Sequence, residues 1–180
     1  AYRIDILHKV DIIEDVAIGY GFNKFVPQLP HIATVGKLHP VEKLSTKVRQ
    51  LLTGYGFQEI INPILSNPTD QFEKMNWKKE NIIEIENPVS QEYTCLRICL
   101  KPGLLKFLAK NTHVSYPQNI FEVGDVVIYD ENEETMSKSI RSIVGVMCHS
   151  KTSLTDVKSL VDSLLRNLKV DYELEAHDLE

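Results

Sequence analysis

The sequence predicts an α+β fold with a mainly antiparallel sheet flanked by helices, and three observations support this prediction. Two long apolar stretches, residues 119–129 and 140–149, surround the charged run Asp130–Glu134 and are typical of a β-hairpin. Two amphipathic segments, which begin at Pro40 and Thr155, have apolar residues at helical spacing. The elements between them are too irregular in length for a doubly wound parallel fold.

The individual elements follow from apolar periodicity and from the positions of Gly and Pro. Residues 2–7 alternate as a strand. Asp11 is expected to cap a helix, with Glu14 completing a capping box, and Gly19 and Gly21 are expected to end that helix. The other predicted elements are a helix at 40–53, a strand within 55–63, a short helix from Asn67 to Lys74 or Met75, a strand at 82–85, a helix from Pro102, the two hairpin strands, a helix from Thr155 to about Leu168 and a terminal strand at 171–176.

An extended connector near residues 24–36 separates two predicted units. Pro27 and Pro30 favour extended backbone there. We therefore expect one unit at residues 1–35 and a second at 36–180. The first and last residues both have the pattern of strands in progress, so we expect a fragment of a longer chain.

The composition is typical of a globular protein and excludes several classes. The chain has 43% hydrophobic residues, 25% charged residues and a net charge of −5, which argues against a strong electrostatic grip on nucleic acid. Its apolar runs are shorter than the roughly 18 residues that a membrane span needs, so we expect no membrane partner. Cys95, Cys99 and Cys148 lack CxxC spacing, which favours a reducing cytoplasmic environment.

Four carboxylates lie close together near the start of the chain, and two interpretations remain open. Asp5, Asp11, Glu14 and Asp15 fall within eleven positions around a short helix. Oxygen-only ligands of this kind suit magnesium or calcium. In the simpler interpretation Asp11 and Glu14 cap the helix, and Asp5 pairs with Arg3 or Lys9. No Walker loop, G-x-S-x-G elbow, G-x-G-x-x-G motif or paired histidine motif is present in the sequence.

Several segments resemble aminoacyl-tRNA synthetases. An amphipathic helix followed by Leu52–Pro63, which contains G-F-Q-E, is similar to the first motif of class II synthetases. The segments Ala1–Asn23 and Tyr93–Leu105 resemble the β chains of archaeal and eukaryotic-type phenylalanyl-tRNA synthetases. The second class II motif would occupy Ile120–Asp130, where a catalytic enzyme has an arginine that binds the ATP α-phosphate. Here Ile128 takes that position, and Asp130 takes that of a glutamate.

The resemblance implies a non-catalytic part of a heterotetramer. By this resemblance, residues 1–35 are expected to form the end of a small accessory domain. Residues 36–180 are expected to form a class II synthetase-like domain that is truncated at its C-terminus. The implied partner is a catalytic α subunit in an α2β2 complex, which uses ATP to charge tRNA(Phe) with phenylalanine in the cytoplasm. The implied magnesium ligands, shared with the α subunit, are Asp5, Asp11, Glu14 and Asp15, and the helix face at 41–52 would meet a partner.

Alternatives to this interpretation also remain open. Arg97 is either a phosphate ligand or part of a structural ion pair. Arg141 is expected to be a surface or interface residue. For the whole chain, one alternative interpretation is a catalytic class II ligase-like paralogue. The other is a divalent-metal or interaction module unrelated to translation.

Overall fold

Two compact units make up the chain. The structure is a computed structural model that describes residues 3–173, and it divides between Lys37 and Leu38. None of the described helices is both long and apolar enough to cross a lipid bilayer.

The first unit is built around one helix, α1, at Lys9–Tyr20, which a 3₁₀ turn at Phe22–Lys24 follows. The helix begins earlier than predicted because His8, not Asp11, is its N-cap. It ends at Gly21, whose φ of 101° is readily adopted only by glycine. Residues 3–7 form no strand, contrary to the prediction, since no other segment among the described residues pairs with them.

Up to residue 173, the second unit contains four further helices and five strands. In chain order they are α2 (Pro40–Gly54), β1 (Gln58–Glu59), β2 (Leu65–Ser66), α3 (Pro68–Gln71), β3 (Cys95–Leu96), α4 (Lys101–Lys110), β4 (Gln118–Tyr129), β5 (Ser137–Cys148) and α5 (Leu154–Leu168), with a 3₁₀ turn at Glu73–Met75 after α3. Pro40 opens α2, where a missing backbone N–H costs nothing. Ser153 caps α5, and Asp156 completes its capping box.

The main sheet is mixed, in the order β1-β4-β5. Strands β4 and β5 form the predicted antiparallel hairpin, with twelve residues in each strand. Strand β1 pairs with the start of β4 in parallel, which departs from a purely antiparallel arrangement. Strands β2 and β3 form a separate antiparallel pair. The α+β prediction is therefore confirmed, and its antiparallel detail is confirmed in part.

Helices cover both faces of the hairpin. On one face, α2 and α5 pack on Phe121 and Val123 of β4. On the other face, α4 packs on Ile120 and Val126. Because both faces are covered, β4 has apolar residues on both of its faces rather than a strict alternation. Each fully buried Leu or Phe in these two clusters contributes about 1.5–3 kcal/mol.

Three predicted strands are shorter than expected or lie partly outside the described residues. The strand within 55–63 reduces to the two residues of β1. The strand at 82–85 reduces to a single bridge between Glu84 and Cys95. Residues 171–173 of the predicted terminal strand have no regular structure, and residues 174–176 lie outside the described residues.

Candidate functional site

The first candidate site is the acidic cluster of unit 1, and Arg3 joins two of its members. The guanidinium binds Asp5 through two hydrogen bonds, from Nε to Oδ1 at 3.1 Å and from Nη2 to Oδ2 at 2.6 Å. Its third donor, Nη1, binds Asp15 Oδ2 at 2.7 Å. The hydrogen bond from Arg3 is the main cause that lowers the pKa of Asp5. The side chains are exposed, so solvent screens these pairs.

Asp11 binds backbone amides at the start of α1 and makes no hydrogen bond with the other three acids. Its Oδ2 accepts hydrogen bonds from the backbone N–H groups of Leu7 at 2.8 Å and His8 at 2.7 Å. It therefore satisfies amides at the helix start and places negative charge near the positive end of the helix dipole. Glu14 makes no hydrogen bond or ion pair among the described residues.

Magnesium suits the chemistry of these four acids but not their arrangement. Carboxylate oxygens are the ligands that Mg²⁺ prefers. However, no three His, Cys, Asp or Glu side chains within residues 3–173 are grouped so that they could hold a metal ion. As the side chains stand, Arg3 occupies both oxygens of Asp5 and one of Asp15, and backbone amides occupy one of Asp11, so the set as it stands in the chain alone does not fit the ion.

The second candidate site is the outer half of the β4–β5 hairpin, where Ile128 lies. Lys138 stands opposite Ile128 on β5, and Ile140 stands opposite Val126 on the same face. On this face Ile128 thus has one lysine opposite it and two apolar neighbours, Val126 and Ile140. Asp130 instead turns the chain: its Oδ1 accepts a hydrogen bond from the Asn132 backbone N–H at 3.0 Å, and this bond lowers the pKa of Asp130.

Arg97 forms a structural ion pair, as one of the two interpretations predicted. Its Nη1 donates to Glu122 Oε1 at 2.6 Å, and both side chains are almost fully buried. The same guanidinium donates to the backbone carbonyl oxygens of Asn62 and Asp125, at 3.1 Å and 2.9 Å. Asn62 Nδ2 donates to the second oxygen of Glu122 at 2.7 Å. The sequence analysis missed Glu122, although a carboxylate inside an apolar strand is a signal for a buried partner.

Gly124 leaves the space that this ion pair needs. A Cβ at this position would lie 2.5 Å from Arg97 Nη2 and 3.2 Å from Glu122 Oε1. The pair therefore depends on a glycine in the middle of β4, where a strand otherwise disfavours glycine.

Arg141 fastens α2 to the hairpin rather than standing free at the surface. Its Nε donates to Asp125 Oδ1 at 2.6 Å across the two strands. From the same side chain, Nη2 donates to Glu42 Oε1 at 2.7 Å and Nη1 to Ser45 Oγ at 3.1 Å, both on α2. The hydrogen bonds that Arg141 donates, first to Asp125 and then to Glu42, raise the pKa of Arg141 further above its ordinary value. Arg141, predicted to be a surface or interface residue, is thus half-buried in a network of contacts within the unit.

Two large apolar side chains of α2 are exposed on a face that is otherwise polar. Val41 is 38% exposed and Leu44 is 53% exposed, whereas Val48 and Leu52 are buried against the sheet. Val41 and Leu44 are three residues apart and therefore lie on the same side of the helix.

Asp70, on α3, is a second buried acid, after Glu122, that sequence reasoning did not select. It accepts a hydrogen bond from Lys74 Nζ at 2.6 Å and from Lys106 Nζ at 2.7 Å. Burial raises the pKa of Asp70, but the hydrogen bonds and charges of the two lysines outweigh that effect and lower it to about 2. This arrangement joins α3 to α4 beside a small cavity of about 190 Å³. A cavity of that size is below the usual range for ligand pockets.

Known proteins resemble this chain along nearly its whole length. Residues 26–180 match the family model described as the phenylalanyl tRNA synthetase beta chain CLM domain. The phenylalanine–tRNA ligase beta subunit of Methanocaldococcus jannaschii is 44% identical over 97% of this chain and 32% of the relative. The beta subunit of Methanococcus maripaludis strain C7 is 45% identical over 99% of this chain and 33% of the relative. The chain thus spans about a third of the length of these curated relatives.

A solved structure is similar in fold. It is a pyrrolysyl tRNA synthetase, PylSc of Desulfitobacterium hafniense, with a TM-score of 0.54 over 73% of this chain and 46% of that chain. At 15% identity the similarity supports a common architecture and nothing more specific.

Proposed function

We propose, because the chain belongs to the family of phenylalanyl-tRNA synthetase β chains, that it is a non-catalytic synthetase-like part of the β subunit. In this role it pairs with and supports a catalytic α subunit within a cytoplasmic α2β2 complex. The complex uses ATP to attach phenylalanine to tRNA(Phe), and this chain supplies structure rather than chemistry.

The observation that carries this proposal is Ile128. Activation of a carboxylate by ATP develops negative charge on the α-phosphate, which needs fixed positive or hydrogen-bonding groups. Isoleucine provides neither, and its neighbours Val126 and Ile140 are apolar. Lys138 brings one flexible ammonium group to this face, which lacks the rigid fork of an arginine. Arg97, which the sequence offered as a phosphate ligand, is committed to Glu122.

The surface that supports pairing is the exposed face of α2. Val41 and Leu44 supply its apolar contacts, and Arg141 holds the first turns of the helix against the sheet. A helix that is fixed in this way loses little conformational entropy when a partner binds. The α subunit therefore meets a preformed surface at the face 41–52.

Magnesium enters the proposal only for the assembled complex. Asp5, Asp11, Glu14 and Asp15 would supply carboxylate oxygens to an ion that the α subunit also ligates. Asp11 and Asp15 lie one helical turn apart on one side of α1, which favours joint ligation. Since Arg3 holds Asp5 and Asp15 in the chain alone, assembly must move that guanidinium.

Co-expression with the α subunit of the same organism tests the pairing. We expect the wild-type chain to co-purify with the α subunit, and Leu44→Asp to abolish co-purification by placing a charge in the interface. The matched control is Leu105→Asp, because Leu105 is similarly exposed, at 42%, but lies on α4. Retention of the α subunit by Leu44→Asp would contradict the proposed surface.

Pyrophosphate exchange tests the absence of catalysis. We expect no phenylalanine-dependent exchange from this chain alone, whereas exchange above background would favour the catalytic ligase-like alternative. Nothing in the chain favours a metal or interaction module unrelated to translation, given the family to which it belongs.

A further inference from the structure

We propose that the cavity between α3 and α4 binds a small α-amino acid with an apolar side chain, and that Lys110 and Glu92 at its mouth hold the two charged groups of that ligand. The cavity lies beside α4, which packs on the opposite face of the hairpin from α2. The inference therefore goes beyond the proposed function and does not depend on it.

The size of the cavity limits its occupant to a small molecule. Its volume is about 190 Å³, which is below the range that holds drug-sized ligands. A cavity of about 150 Å³ is nevertheless large enough to bind benzene. A branched aliphatic side chain is no larger than benzene, so a single amino acid fits here and a nucleotide does not.

The buried polar side chains on the floor of the cavity already have partners. Gln71 is 2% exposed, and its Oε1 accepts hydrogen bonds from the backbone N–H groups of Ile98 and Cys99 at 3.1 Å and 3.2 Å. Arg97 is paired with Glu122. An apolar side chain can therefore enter without leaving these polar groups unpaired. The apolar part of the lining comprises Pro63, Leu65, Leu100 and Phe107.

Two lysines place positive charge at the mouth of the cavity. Lys106 and Lys110 both line it and are one turn apart on α4, so their side chains are neighbours. Asp70 accepts a hydrogen bond from Lys106 and neutralises one of the two charges. Lys110 is exposed and makes no hydrogen bond or ion pair through its ammonium group within residues 3–173. This ammonium group is available to the carboxylate of a ligand.

Glu92 places the opposite charge at the same mouth. Its backbone groups bind Ser90 and Asn67, whereas its carboxylate has no hydrogen-bond partner in the part of the chain that the structure describes. The hydrogen bond to Asp70 is the main cause that raises the pKa of Lys106, and the charge of Glu92 raises it further, so this carboxylate lies near the lysines. It is available to the ammonium group of a ligand. A simple carboxylate would be repelled by the acid and a simple amine by the lysines, so each fits less well than an amino acid.

Isothermal titration calorimetry of the chain with three matched probes tests the inference. L-leucine has both charged groups, isocaproate lacks the ammonium group, and isoamylamine lacks the carboxylate. We expect L-leucine to bind saturably and each analogue to bind at least about tenfold more weakly, because each loses a charge-assisted hydrogen bond. An absence of saturable binding by L-leucine, or equal affinity for L-leucine and either analogue, would overturn the inference.

Substitutions at the mouth of the cavity locate the bound amino acid. Lys110→Met should weaken the binding of L-leucine at least about tenfold without weakening that of isoamylamine, which has no carboxylate. Glu92→Gln should weaken the binding of L-leucine without weakening that of isocaproate. Both side chains are exposed, so the fold should persist, and circular dichroism checks this.

The matched control is Lys158→Met, which removes the same charge from an exposed side chain on α5. Its affinity for L-leucine should stay within about twofold of the wild type. Unchanged affinity in Lys110→Met, or an equal loss in Lys158→Met, would contradict the assigned site.

The two proposals fail separately. The titration with L-leucine needs no α subunit, and co-purification with the α subunit needs no amino acid. If L-leucine does not bind but the α subunit co-purifies, the cavity has no such role and the pairing stands. If L-leucine binds as expected but the α subunit does not co-purify, the proposed function falls and the amino-acid site stands.

Discussion

Replacement of Arg97 by methionine tests whether the buried ion pair holds the second unit together. The change keeps much of the side-chain volume but leaves the Glu122 carboxylate, whose side chain is 2% exposed, without its counter-charge. It also deprives the carbonyl oxygens of Asn62 and Asp125 of their guanidinium donors. Removal of one partner from a buried pair costs about 3–5 kcal/mol, which is a large part of the usual 5–15 kcal/mol of domain stability.

Urea unfolding measures this cost through the single tryptophan, Trp77, which lies in the same unit and beside Lys101 of α4. Lys79→Met is the matched control, since it removes one positive charge from an exposed pair with Glu84, and should change stability by less than about 1 kcal/mol. The double variant Arg97→Met with Glu122→Leu should recover most of the loss, because no buried charge then remains. A loss below about 1 kcal/mol in Arg97→Met, or a double variant as unstable as the sum of the two single changes, would refute the reasoning.

Three other variants report on separate features of the fold. Gly124→Ala should lose roughly 1–3 kcal/mol in urea unfolding, because its methyl group collides with the buried ion pair; Gly54→Ala, with open space around its Cβ, should be neutral or gain up to about 1 kcal/mol. The folded-state pKa of Asp70, about 2, lies below its unfolded value, so its contribution is present above pH ~4 and is lost as the pH falls toward 2. Between pH 5 and pH 2.5, the free energy of unfolding should therefore decrease less in Asp70→Asn than in wild type, by on the order of 2 kcal/mol. An equal decrease in both proteins would contradict this assignment. Ser153→Ala should cost about 0.5–2 kcal/mol by removing the cap of α5, while Ser150→Ala, outside that helix, should have no measurable effect in the same thermal or urea assay.

The periodicity of apolar residues correctly predicted the helices and strands that pack on the hydrophobic core. The hairpin strands and the helices that begin near Pro40 and Thr155 all pack on one apolar core, so their sequences carry a strong pattern. Strands β1, β2 and β3 have two residues each, and their extent depends on pairing with segments distant in the chain. Local sequence does not encode such pairing: the strand predicted within 55–63 was too long, and β2 and β3 were not predicted.

Pairs of charged residues were harder to predict than single residues. Spacing singled out Asp5 and Asp15 and offered Arg3 as one partner for Asp5, which the structure confirms. It did not predict that one guanidinium would bind both carboxylates, because this contact depends on how residues 3–8 turn before α1. In the same way, Arg97 and Glu122 lie 25 residues apart and meet only through the fold.

The contacts between Arg141 and the first turns of α2 couple that helix to the hairpin. The Arg141 side chain on β5 donates hydrogen bonds to Glu42 and Ser45, and β5 begins directly after the hairpin turn at residues 130–136. These hydrogen bonds tie the first turns of α2 to β5. A displacement of the hairpin would therefore be passed on to the exposed face of α2, and a displacement of α2 would be passed back to the strands through the same contacts.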